Sequence, residues 1–591
     1  LGTLNGARQR GDQAFAVVGA GCLVVAVFAV GLILLDRMRR LSGLVPLTVA
    51  VGTALAGLLL LFAHRRAPTW MASAASDRGV SAPVAHASDR WIVATLALIA
   101  LVPRWIALRH SLIVDELWTL SFVQRGPLYA VTHQSEYNNH LLNSLLCSLL
   151  LEARSALLGV PAASDTSWYP LMRAPSLLFG VASAPLLYLA VRTRLPRDVS
   201  LVAALLLALS PVAVDVSAQS RGYAAMICLT IAAALALESA ARTARPLTWL
   251  SWLLCTTLAA LAHLYSGFAV VAGGLCFGLA GLTASEPTRR RCLLEQALLL
   301  PAVWACLTIA GFAGVLGVMR AALHTEASRP LDARMDQVLL PMLQRWGGSM
   351  HGAAVPIYYL LVLVLLTAGL VSLRRQAPIV ALYCGLLLFL PPIVVEILRP
   401  HFVFMRFFVV ALPAFLLCIA CGLREVARLL CRPVGDVHPS RLFGGLSAVL
   451  LAGSAIRLMP VLLLPKQDYK QSAAFLKRKQ REGAAVAVIG VGYQYFNRYG
   501  MGAYYPATGA DLDRYVRAHH GALLVDTGIR VHPLPADLRA YLRRHQGRPV
   551  AIFPARYGDW PYRSKDEESD FTVSPLSAEP LPSNSRDSSS Q

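Results

Sequence analysis

The stretch WIVATLALIALVPRWIAL (residues 91–108), followed by SLIVDELWTL (111–120), decides how the chain is read. The first is apolar apart from Arg104 and close to the roughly 20 residues that a helix needs to cross a bilayer. The second places two adjacent carboxylates, Asp115 and Glu116, just past the end of that run, with aromatic and aliphatic residues around them. A membrane span that ends in an acidic pair raises the question of what shares that side of the membrane.

The rest of the composition agrees with a membrane protein. Hydrophobic residues make up 56% of the 591 and charged residues 15%, and the mean hydropathy is +0.55, as expected of a polytopic chain. The net charge of +21 is distributed as short basic clusters between apolar runs. There is no basic stripe with interleaved aromatics, which sets nucleic-acid binding aside. The 11 cysteines show no metal-type spacing and none follows Cys431, so the C-terminal region is expected to hold no disulfide.

Further spans are expected at about 14–35, 43–63, 174–192, 199–214, 222–240, 247–264, 266–284, 293–316, 354–373, 378–397, 406–424 and 442–464. With 91–108 this makes about 13 in all. The first apolar run has no signal-peptidase-like site and is read as a retained span. Leaving LLNSLLCSLLLEARSALL (141–158) as an in-plane amphipathic helix puts the basic loops RTRLPR, RTARP, EPTRRR, LRRQ and LREVARLLCR on one, cytoplasmic, face. The loop DRMRR (36–40) then breaks the rule. Facing outward are 109–173, 215–223, 263–266, 317–352, 398–405 and everything after 465.

After residue 465 the pattern changes to helix (DYKQSAAFLKRKQREG), strand (AAVAVIGVG), helix (DLDRYVRAHH), strand (GALLVDTG), helix (PADLRAYLRRHQ) and strand (PVAIFPA). This alternation predicts a small α/β domain. GVG at 490–492 lacks the third glycine and following helix of a dinucleotide fingerprint. The Tyr-rich stretch 492–505 suits sugar stacking or a membrane interface equally. The expected organisation is two N-terminal spans and a linker (1–90), a membrane domain (91–464) with outer loop 109–173, an exported α/β domain (465–563), and a disordered, Ser-rich tail (564–591).

Ionisable groups gather at the outward ends of spans: Asp115, Glu116, Glu136, His140, Arg173, Asp215, Arg221, His263, Arg399, His401 and Arg406. A transporter would place them near the bilayer midplane. Groups at the interface suit a lipid whose charged head lies at that depth. Carboxylates can activate an acceptor there, and arginines can hold a phosphate through charge-assisted hydrogen bonds. Each feature also has a structural explanation. The acidic pair could favour a helix N-terminus, the arginines could snorkel, and His263 could cap a helix.

The acidic pair, NNHLLNSLL, RAPSLLFG, SPVAVDVSAQSRGY, AHLYSGF and RPHFVFMRFFVVALPAFLLCIACGL occur in that order over roughly residues 90–425. Together they resemble the GT-C glycosyltransferases of the protein O-mannosyltransferase and lipid A aminoarabinose transferase type. The chain departs from that pattern at His140, which Leu-Leu follows, and at Arg406-Phe407 in place of Arg-Tyr. It also has no lysine in 109–173. The resemblance implies a polytopic all-α membrane domain with a small C-terminal α/β domain. It also implies transfer of one sugar from a polyprenyl-phosphate carrier to an acceptor hydroxyl at the outer face, usually with inversion. Asp115 is then the candidate base, and Glu116 orients the acceptor or helps bind a divalent cation. Arg221 and Arg406 are the candidate phosphate ligands, and His140, His263 and Tyr265 candidate sugar or phosphate contacts. The acceptor is a glycolipid, a glycan or a protein, and the expected location is a bacterial inner membrane. The competing readings are a lipid-linked glycan flippase and an inactive polyprenyl-lipid-binding scaffold.

Overall fold

The structure, a computed structural model, describes residues 51–52, 54–58, 87–132, 140–159, 169–243, 246–315, 354–398, 405–432, 438–490, 496, 501–527, 534–553 and 571–581. Outside them lie the expected spans 14–35 and, save its helical residues within 51–58, 43–63. The loop 36–40, the segment 317–352, Glu136, Arg399, His401 and most of the Tyr-rich stretch also lie outside them.

Every expected span that falls on described residues is helical. Among the described residues, 10 helices are long and apolar enough to cross a membrane, or up to 11 with one bent pair counted as a single span. The chain is an integral membrane protein. The helices used below are α1 (Ala87–Ala107), α2 (Val114–Val123), α3 (Leu141–Leu158), α4 (Ala174–Arg192), α5 (Arg197–Leu209) and α6 (Pro211–Ser217). They continue with α7 (Tyr223–Thr243), α8 (Pro246–Ala262), α9 (Gly267–Thr283), α10 (Pro287–Gly311), α11 (Ala354–Gln376), α12 (Pro378–Leu398), α13 (Leu412–Cys431) and α14 (Pro439–Leu463). The stretch expected as an in-plane helix, α3, passes the same test of length and apolarity as the spans.

The expected single span 199–214 is corrected to a broken one: α5 and α6 meet at Ser210 with a bend of 54°. Pro211 is the cause, since it lacks the amide hydrogen and disfavours helical geometry at the residue before it. Ser210 then starts the new helix by accepting the Ala213 amide at 3.3 Å, an N-cap that satisfies one of the free donors of the first turn.

Two compact units emerge, residues 1–105 with 122–458, and residues 106–121 with 459–591. The acidic segment, expected within the membrane domain, therefore groups with the C-terminal region. In the first unit α13 is the central helix, buried along its apolar length and packed on α5, α11 and α12. Two glycines allow its backbone to approach α11. A Cβ on Gly369 would lie 2.0 Å from the Cys418 carbonyl oxygen, and one on Gly422 equally close to that of Leu365. Small residues at such crossings let dispersion contacts replace the hydrophobic drive that lipid surroundings remove.

In the second unit, β1 (Val486–Ile489), β2 (Ala522–Asp526), β3 (Ala551–Phe553) and β4 (Phe571–Leu576) form a sheet of order β1-β2-β4-β3. β1 and β2 are parallel, with helix α16 (Gly509–Ala518) between them in sequence. β4 runs antiparallel to both β2 and β3. Ala487, Ile489, Leu524 and Leu576 face a core shared with α16 and α17 (Ala536–His545). On the other face, Phe571 meets Tyr469 of α15 (Tyr469–Arg481) with ring centroids 4.8 Å apart. The expected α/β domain is present. The expectation of disorder over 564–591 is corrected at β4, where Phe571, Val573, Ser574 and Leu576 are buried in the sheet.

Alanine at Gly422 must push two helix backbones apart. We expect Gly422→Ala to lower stability by about 1–3 kcal/mol, read as a lower melting temperature in detergent, whereas Gly453→Ala, where a Cβ meets nothing within 4 Å, leaves it unchanged.

Candidate active site

Within the membrane unit, five residues singled out from the sequence come together. His140 lies immediately before α3, and Arg221 lies in the turn between α6 and α7. His263 and Tyr265 belong to the 3₁₀ turn that follows α8, and Arg406 lies in the 3₁₀ turn Met405–Ala411 that leads into α13. Each therefore lies at or beside a helix end, where the backbone turns. Four of them, His140, Arg221, His263 and Arg406, are buried, and Tyr265 is half-buried.

The imidazoles of His140 and His263 are 5.2 Å apart, centroid to centroid. Tyr223 stands against both, at 4.7 Å and 5.1 Å. The Arg406 guanidinium lies 5.9 Å above the Tyr223 ring, within cation–π range. Phe407 closes the group, 4.8 Å from both His263 and Tyr265.

The tautomers follow from the hydrogen bonds. His140 Nδ1 is 2.8 Å from the Ala262 carbonyl, which can only accept, so Nδ1 carries the proton. Nε2 is left as an acceptor, buried and without a partner among the described residues. His263 Nδ1 accepts the Tyr265 amide at 3.2 Å, so its proton is on Nε2. Burial first, and then the charges of Arg221 and Arg406, hold His140 well below the usual imidazole range. It is a neutral hydrogen-bond acceptor between two cations.

The turn carrying Arg221 is fixed from several sides. Ser176 Oγ lies 2.8 Å from the Arg221 carbonyl and 3.1 Å from Asn143 Oδ1, and Asn143 Nδ2 donates to Ser220 Oγ at 3.2 Å. Gln219 Nε2 donates to the Asp215 carbonyl at 3.1 Å. Gly222 is required by space, because a Cβ there would sit 2.1 Å from the Ala262 oxygen and 2.9 Å from His140 Nδ1. Sequence reasoning missed Tyr223, Gly222, Asn143 and Ser176 as site residues. The triplet Arg-Gly-Tyr at the start of a span was the available signal for the first two.

Asp115 and Glu116 lie in the other unit, in the first turn of α2. Glu116 is fully buried and its Oε2 accepts the Ile113 amide at 2.9 Å, the reciprocal half of a capping box. One carboxylate oxygen of Glu116 is thus engaged by its own helix. Asp115 is half-buried. The preceding segment is anchored in the same unit. Ser111 Oγ is 3.4 Å from Asp468 Oδ1 and accepts the Lys470 amide at 3.3 Å, and His110 Nε2 is 3.1 Å from the Leu462 carbonyl. Asp468 also caps α15 through the Gln471 amide. Burial pushes its carboxyl up, while the Gln471 and Ser111 hydrogen bonds and Lys470 pull it down. Among the described residues, no three His, Cys, Asp or Glu side chains stand together as a metal-ligand set.

In the unfolded chain His140 takes a proton below about pH 6.5, the usual imidazole value, whereas the folded protein keeps it neutral. Stability should therefore fall as pH drops from about 7 to 5, by up to about 1.4 kcal/mol per pH unit for this one group. We expect His140→Gln to flatten the dependence of melting temperature on pH over that range.

Residues 164–313 match the family described as dolichyl-phosphate-mannose-protein mannosyltransferase. No curated protein sequence matches. Among solved structures, ArnT from Cupriavidus metallidurans is 13% identical with a TM-score of 0.44, over 83% of this chain and 99% of that one. The Archaeoglobus fulgidus oligosaccharyltransferase is 12% identical, with a TM-score of 0.44 over 80% and 74%. Arabinosyltransferase EmbB from Mycobacterium smegmatis is 14% identical, with a TM-score of 0.38 over 68% and 41%. The matched stretch contains Arg221, Tyr223, His263 and Tyr265, so over these residues the chain is similar to that mannosyltransferase family.

Proposed function

We propose that the chain transfers one sugar from a polyprenyl-phosphate donor to an acceptor hydroxyl, with inversion at the anomeric carbon. The observation that carries the reading is the pair of buried guanidiniums, Arg221 and Arg406, which share one site with a neutral imidazole whose Nε2 lacks a partner among the described residues. Guanidinium groups match a phosphate in charge and hydrogen-bond geometry. A neutral imidazole nitrogen matches a donor, and the hydroxyls of a sugar are donors. An anionic head with a hydroxylated group attached suits both.

In the reaction proposed, Asp115 takes the proton of the acceptor hydroxyl as its oxygen attacks the anomeric carbon. The bond from that carbon to the phosphate oxygen breaks, and its electron pair leaves with the polyprenyl phosphate. Direct displacement inverts the configuration. Arg221 and Arg406 stabilise the charge that grows on the departing phosphate, an effect that is large where water is excluded. His140, through Nε2, accepts a sugar hydroxyl and orients the ring. Glu116 holds the turn that presents Asp115, and the Ser111–Asp468 contact anchors that turn to α15. The C-terminal domain thereby supports the candidate base. The donor is read as a hexosyl or pentosyl carrier lipid, and the site as facing the periplasm or exterior.

The test is sugar transfer by the full chain in lipid, using radiolabelled polyprenyl-phosphate sugars and total membrane extract as acceptor. Asp115→Asn should lower transfer at least ~100-fold, the low end for loss of a general base. Equal transfer by wild type and Asp115→Asn would remove Asp115 as the base. Absence of transfer from every donor despite donor binding would favour the scaffold reading.

A further inference from the structure

We propose that a groove at the far end of the membrane unit binds one anionic phospholipid, with its phosphate at Arg289 and Arg374 and an acyl chain along α12. The groove encloses about 1040 Å³ between α9, α12 and the ends of α7, α10 and α11. It is separate from the candidate active site. Ala241, at its rim, lies 18 residues along α7 from Tyr223, which is about 27 Å at the rise of a helix.

Its two ends differ in chemistry. The head is polar, with Arg289, Arg374 and Glu286. Glu286 caps α10, with its Oε2 3.0 Å from the Arg289 amide, so its charge is directed at a helix N-terminus. Arg289 donates one Nη2 hydrogen to the Ala241 carbonyl at 3.1 Å, which fixes its guanidinium at the rim. Arg374 is exposed and has no protein partner among the described residues, whereas its neighbour Arg375 pairs with Glu425 at 3.6 Å. Two cations against one engaged carboxylate leave a net positive head.

The stem is apolar. Leu382, Leu386, Phe389 and Ile393 of α12 line it, spaced so that they share one helix face. From 382 to 393 the helix rises about 17 Å, close to half of a hydrocarbon core of roughly 30 Å. Phe389 and Ile393 are each 47% exposed, so the groove opens sideways to where lipid tails lie. A basic head at the interface and an apolar stem one leaflet deep fit a lipid that carries negative charge on its phosphate. The basic loops at this end assign the leaflet as the cytoplasmic one, where anionic headgroups attract such arginines.

The experiment is native mass spectrometry of the full-length protein in detergent, titrated separately with phosphatidylglycerol, phosphatidylcholine and polyprenyl phosphate. Wild type should retain one phosphatidylglycerol at least ~10-fold more strongly than phosphatidylcholine. Arg374→Gln, an exposed change that does not disturb the fold, should weaken retention about five-fold, the worth of one interfacial cation. Leu386→Trp, which fills the stem and leaves the charges intact, should abolish it. Equal retention of the two phospholipids, or wild-type retention by both variants, would overturn the proposal. So would displacement of phosphatidylglycerol by millimolar inorganic phosphate, which would mark a site for phosphate alone, or a preference for polyprenyl phosphate.

Discussion

The hydrogen bond from the His140 imidazole to the Ala262 carbonyl joins three distant stretches of chain. It ties the start of α3 to the end of α8, and the turn between α6 and α7 passes so close that only glycine fits at 222. Arg221 and Tyr223 flank that glycine. Their positions are therefore set by a backbone contact, while Asn143 and Ser176 brace the same turn from α3 and α4. The bond also fixes the tautomer of His140 and leaves its other nitrogen as an acceptor. One polar contact thus decides both where the arginine stands and what the histidine can do.

Electrostatics explains why such a site belongs at the ends of spans. Two guanidiniums away from water are costly unless something anionic meets them, and a histidine beside them stays neutral. A cluster of this kind suits an anionic group. The same logic, in weaker form, governs the groove at the other end of the unit, where Arg374 has no protein partner among the described residues. The acidic segment follows a different rule. There the burial of Glu116 is offset by a backbone amide of its own helix.

Much of this was legible in the sequence because charge is rare in apolar chains. Arg221, His263 and Arg406 stood out as ionisable residues at the ends of apolar runs, and the spans follow from length and composition. Neutral residues gave no such signal. Asn143 and Ser176 look like ordinary helix residues until the turn they support is seen. The capping contact of Glu116 was not legible in SLIVDELWTL, because it depends on where the helix starts, and that boundary is a matter of one residue. The bend at Ser210 is signalled by Pro211, but hydropathy runs unbroken across it. Strand β4 has only six residues without a clean alternation, a weak pattern inside a Ser-rich, charged surround.

The central claim is that Arg221 and Arg406 hold a lipid phosphate and Asp115 does chemistry on what that phosphate carries. The most direct measurement is equilibrium binding of polyprenyl phosphate to wild type, Arg221→Gln, Arg406→Gln and Asp115→Asn in the same detergent. The account predicts that each arginine variant binds at least ~10-fold more weakly, as expected for loss of a charge-assisted hydrogen bond of about 1.5–3 kcal/mol, and that Asp115→Asn binds as wild type does. Unchanged binding by both arginine variants, or binding lost in Asp115→Asn, would contradict it.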